Sequence, residues 1–215
     1  MRRQEKKAIK KPGFISLICA EVQEVLLLNR TQRRFTRAQA FLKKGDIAPM
    51  ERLSQTQLGD AWLALANYYA IDRQQDAVLA TTAYRNAVNS TKWLNQSSFA
   101  QDEYDRRCLL GIGIEQNLQA LAERWSGLYE SGYQRETQLA WIYGFGPTEL
   151  RDQMKAWWWV ALAEARWGQL QDVQLPTLSA VEVREQLVKS LREKDRQQIE
   201  LEAKAHVHQE FVRSK

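Results

Sequence analysis

The sequence predicts an all-α protein of stacked antiparallel helical hairpins, arranged as a solenoid or an irregular bundle. Three observations carry that expectation. Ten Gly and four Pro in 215 residues are too few for an all-β chain, which needs turn residues every ten positions or so. Ala, Leu, Gln, Glu and Arg dominate instead, and these favour helices. The stretch from Leu139 to Gly168 reads as two short helices broken at Gly146-Pro147, and the second contains Trp157, Trp158 and Trp159 in succession. Bulky aromatics around most of a helix's girth require neighbours on more than one side.

In chain order, Phe14, Leu17, Ile18, Val22, Val25, Leu26 and Asn29 follow helical spacings, with Glu21 and Glu24 off that stripe. The seven-residue apolar run Phe14–Ala20 is short for a secretion signal, so a retained N-terminus and a cytoplasmic location are expected, with residues 1–13 a basic, disordered tail. Arg30, Arg33, Arg34 and Arg37 then form one stripe, with Phe35, Ala38, Phe41 and Leu42 available to face inward. Lys43 to Asp46 and Pro49 read as a helix stop and loop. Ser54 with Gln57 reads as a capping box opening a helix to Ala70. A second helix spans Asp76 to Val88, and Ser98 with Gln101 is another box, starting a helix through Leu110. Gly111 and Gly113 lack the third glycine of a dinucleotide loop, with Gln116 in its place, and mark a helix junction. Helices over 116–130 and 136–145 follow. Finally, Ser179 with Glu182 launches one long helix to about Val212, with Val181, Leu187, Val188, Leu191 and Ile199 as its apolar stripe. The organisation expected is a tail (1–13), a repeat-like domain (14–176) and a C-terminal capping or partner-binding helix (177–215).

Charge is distributed unevenly. Residues 1–52 hold 13 Lys or Arg against 5 Asp or Glu, a local +8 that leaves −3 for the rest of a chain whose total is +5. An anionic partner at one end follows more readily than a protein basic throughout. Same-sign charges one turn apart repel by a few tenths of a kcal/mol per pair, which carboxylates or phosphates opposite them would relieve. The arginine stripe is therefore the candidate anion- or partner-binding site.

Catalytic signals are sparse. His206 and His208 are two residues apart, which sends them to different sides of a helix, whereas a helical metal pair sits four apart. Asp102, Glu103 and Asp105 precede Arg106 and Arg107, a pattern suited to surface ion pairing. Cys19 and Cys108 read as buried small hydrophobes in a reducing compartment. No metal, cofactor or catalytic residue is expected.

An internal echo is more informative. Leu65-Ala66-x-x-Tyr69 recurs as Leu139-Ala140-x-x-Tyr143, with Leu121-Ala122-x-x-Trp125 as a variant. Downstream, Ala80, Ala83, Tyr84 and Ala87 mirror Ala156, Trp159, Val160 and Ala163. Small alanines let two helices approach, and the aromatic one turn on fills the groove beside them. In the order Leu139, Ala140, Tyr143, Gly146, Asp152, Lys155, Ala156, Trp159, Ala163, the chain resembles the Sel1-like and tetratricopeptide repeat proteins. Thr148 stands where a second loop glycine belongs, and Gly168 falls one residue late. The resemblance covers 139–168 well and 58–88 loosely. It implies stacked hairpins and a non-enzymatic adaptor that binds another protein. The alternative reading is a nucleic-acid-associated factor whose N-terminal arginines contact phosphates.

Overall fold

The computed structural model describes residues 14–71, 76–94, 98–128 and 134–213, with the side chains of 14–25 and 71 outside that description. The basic leader and the side chain of Cys19 therefore lie outside the described residues. The chain is all-α: ten α-helices and one isolated β-bridge are found among the described residues. It divides into two compact units, residues 1–100 and 101–215.

The first unit begins with α1 (Phe14–Leu42), a single helix of 29 residues. Phe35 and Ala38 are buried and Leu42 half-buried, but Phe41 is 48% exposed, contrary to the inward role expected of it. Its position explains this. Phe41 lies four residues beyond Arg37 and seven beyond Arg34, so helical periodicity places it on the arginine face. The expected loop after α1 contains a further helix, α2 (Ala48–Ser54), which has Pro49 in its first turn. Proline is pre-set for that position, and Asp46 accepts the Ala48 N–H at 3.2 Å. Ser54 is thus the end of a helix rather than an N-cap, and its hydroxyl donates to the Glu51 carbonyl at 2.8 Å. The capping box with Gln57 does not form.

Helices α3 (Gly59–Ile71) and α4 (Ala77–Val88) make an antiparallel hairpin. The Gly59 N–H donates to the Lys92 carbonyl at 2.8 Å and the Leu94 N–H to Asp60 at 2.6 Å, tying the start of α3 to the chain leaving α4. Asp76 caps α4 by accepting from Val78 and Leu79 N–H. Leu65, Ala66 and Tyr69 on α3, and Ala80, Ala83, Tyr84 and Ala87 on α4, are all buried. The Tyr84 hydroxyl donates to Asn67 at 2.6 Å across the hairpin.

The second unit takes up most of α5 (Phe99–Leu110), then α6 (Leu118–Leu128), α7 (Glu136–Phe145) and α8 (Gln153–Trp167). Gln101, assigned to a capping box from the sequence, donates instead to Asp105 at 2.6 Å. Gly111 and Gly113, both at positive φ, fall between α5 and α6. Between α7 and α8 the chain makes one 3₁₀ turn, Thr148–Leu150. Gly146 is the C-cap of α7, where a Cβ would sit 2.4 Å from the Ile142 carbonyl oxygen so that only glycine fits, and Pro147 cannot continue the helix. The Asp152 N–H donates to the Tyr143 carbonyl, while Trp167 and Arg166 return to Glu136, so this hairpin is antiparallel too. Leu139, Ala140, Tyr143, Ala156, Trp159 and Ala163 are buried within it, as are Leu121, Ala122 and Trp125 on α6.

The expected single terminal helix is two: α9 (Ala180–Ser190) and α10 (Glu193–Arg213). The Ser179–Glu182 capping box does form. The break falls at Leu191, whose backbone is extended, and Arg192 pairs with Asp195 at 2.8 Å beyond it. The inward face of α9 is Ala180, Val183 and Leu187, spaced three and four apart, which leaves Val181 65% exposed. Helix α8 consequently packs against α7, α9 and α10. Trp157 is buried with the guanidinium groups of Arg184 and Arg196 at 5.9 and 5.8 Å from its ring.

Replacing Trp159 by Ala should lower stability by about 3–5 kcal/mol, the usual cost of deleting a buried aromatic. Denaturant unfolding measures it. A midpoint unchanged from wild type would show that α8 is not the core helix described.

Candidate functional site: an arginine-lined cleft

Several charged groups of the second unit are committed to its structure. Asp105, although carried by a charged segment, is buried rather than on the surface. It accepts from the Trp125 indole at 2.7 Å and from Gln101, and it pairs with Arg124. Asp102 pairs with Arg135. Glu103 accepts from Arg106 at 2.7 Å and Arg107 at 2.9 Å. Burial raises the Glu103 pKa, but hydrogen bonds and charge from Arg106 and Arg107 outweigh it and hold it below the ordinary value. Glu136, buried at the start of α7, faces Arg166 at 3.6 Å, and Arg166 also reaches Glu210. His206 lies 3.4 Å from Glu210 with its ring against Trp158, while His208 is exposed. Among the described residues no group of three or more His, Cys, Asp or Glu is placed to hold a metal ion.

The arginines of α1 are disposed differently. Arg30, Arg33, Arg34 and Arg37 are all exposed, and among the described residues none forms an ion pair. Arg34 and Arg37 line an open cleft of about 450 Å³ between α1 and α2, while Arg30 and Arg33 are not among its walls. The other walls are Ala38, Phe41, Pro49, Arg52, Leu53 and Thr56. Three arginines, two from α1 and one from α2, thus line a largely apolar trough.

The helices that build the cleft also keep carboxylates out of it. Glu51, next to Arg52 in sequence, turns towards Tyr69, whose pKa is raised first by burial and then by the Glu51 charge. Asp46 is occupied with the backbone N–H of Ala48. Arg52 itself donates from Nε to the Ala48 carbonyl at 3.3 Å, a bond along α2 that leaves its remaining N–H groups available. Of these walls, Ala38, Phe41 and Pro49 are named from the sequence in other roles, while Arg52, Leu53 and Thr56 are not singled out. The signal that could have found them is Pro49, which starts a helix and so brings Arg52 and Leu53 onto one element.

No family model matches the chain, and no curated protein matches it. One solved structure with a similar course is that of c5321, a protective antigen present in uropathogenic Escherichia coli strains and displaying an SLR fold. The similarity has a TM-score of 0.47 at 23% identity and covers 77% of this chain. The matched region is 36% of that protein's length, so this chain spans about a third of it.

The Glu103 cluster makes a pH prediction. A depressed folded-state pKa contributes stability above the unfolded value, near 4.5, and loses it as pH falls through the folded one. Wild type should therefore be more stable than Glu103→Gln at pH 7, with the difference shrinking below about pH 4.5. Thermal melts of both proteins between neutral and acid pH read this out, and a gap constant across the range would contradict the ion-pair assignment.

Proposed function

We propose that this protein is a non-enzymatic, cytoplasmic helical-repeat adaptor that binds another protein, with the α1–α2 cleft as a contact site. The observation that carries the reading is the cleft itself: Arg34, Arg37 and Arg52 stand around apolar walls and pair with no carboxylate among the described residues. Uncompensated cations beside an apolar trough suit a partner that brings both negative charge and a hydrophobic side chain. The helical hairpins support the reading by supplying a rigid frame for such a surface. Two titratable groups that could have served acid–base chemistry, Asp105 and Glu103, are instead held by arginine and indole partners. Two cysteines in 215 residues fit a reducing compartment. Among the described residues no helix is long and apolar enough to cross a membrane.

Affinity capture from the native host, with wild type and an Arg34→Glu, Arg37→Glu double variant as baits, tests the proposal. A protein retained by wild type and lost with the variant is the expected result. Retention of nucleic acid instead, with affinity falling by a log–log salt slope of roughly −0.9 per neutralised phosphate on duplex DNA, would replace it with the phosphate-contacting alternative.

A further inference from the structure

Resting on that reading, we infer that the α1–α2 cleft takes an acidic peptide segment bearing one apolar side chain, with carboxylates on Arg34, Arg37 and Arg52 and the apolar group between Phe41 and Leu53. The walls define this occupant. Arg34 and Arg37 lie nearly one turn apart on α1, and Arg52 comes from α2, so the cations stand on both sides of the trough. Carboxylates accept paired N–H bonds from guanidinium forks, and the bonds strengthen where apolar neighbours exclude water. Ala38, Phe41, Pro49 and Leu53 supply those neighbours, and Phe41 is left 48% exposed in a unit that buries Phe35 on a different side of the same helix.

The volume limits the occupant. About 450 Å³ admits a few side chains, so the element that enters the cleft is a short segment. A nucleic acid strand would use the arginines and could lay a base face on Phe41, but its phosphates have nothing to place against Pro49 and Leu53. It would also engage Arg30 and Arg33 as readily as Arg34, because phosphate contacts follow a charged stripe. The cleft discriminates between these two pairs of arginines, since Arg30 and Arg33 are not among its walls.

Fluorescence anisotropy on the full chain tests the inference with a labelled peptide carrying one leucine between pairs of glutamates. Saturable binding is expected, weakened about tenfold by Arg34→Gln or Arg52→Gln, because each removes a charge-assisted contact. Replacing the peptide leucine by glycine should weaken binding to a similar degree, whereas Arg30→Gln with Arg33→Gln should leave it nearly unchanged. Circular dichroism confirms that each variant stays helical. Equal affinity for the glycine peptide, equal loss from the Arg30 and Arg33 changes, or no binding would each overturn the assignment. The adaptor reading fails separately: a chain that refuses the peptide yet retains its native protein partner loses only this inference, whereas one that retains no protein loses both.

Discussion

Close approach of antiparallel helices over alanines is the constraint from which the rest of the structure follows. In the α3–α4 hairpin, Ala66, Ala80 and Ala87 have no exposed surface, and in the α7–α8 hairpin the same holds for Ala140, Ala156 and Ala163. Alanine permits contact but contributes little apolar area of its own. The aromatics one turn away make up the difference: Tyr69 and Tyr84 in the first pair, Tyr143 and Trp159 in the second, with Trp157 buried beside Ala156. Because α8 carries tryptophan on opposite sides, one neighbour cannot cover it, and α9 and α10 complete the enclosure.

That packing logic was readable because it repeats. The α7–α8 hairpin, its Gly146-Pro147 stop and the Ser179 capping box all rest on local chemistry with few alternatives. The features that escaped rest on tertiary contact. The break between α9 and α10 has neither Gly nor Pro at Leu191, and nothing local distinguishes Val183, fully buried, from Val181, largely exposed. Asp105 looked like a surface charge because its partners Arg124 and Trp125 lie on the next helix. In the cleft, Arg34 and Arg37 were visible as periodic charge. Arg52 was not, because the seven residues of α2 are too few to show a helical period.

Charge is treated differently within the two units. In the second, Asp102, Glu103 and Asp105 each meet an arginine, from their own helix, from α6 or from the residue that precedes α7. In the first, Glu51 and Asp46 are drawn to Tyr69 and to a helix start, which leaves the cations of the cleft without counter-charge. Like-charged side chains held near one another on a helix cost stability. Here they also border the apolar walls of a trough, where an incoming carboxylate gains most.

Nuclear magnetic resonance of the arginine side chains and leucine methyls, titrated with the glutamate–leucine peptide, addresses that claim most directly. The account predicts shifts concentrated at the Nε–H groups of Arg34, Arg37 and Arg52 and at the Leu53 methyls, with Arg30, Arg33 and the α8 core unmoved. Shifts spread evenly along the α1 arginines, with Leu53 silent, would contradict it.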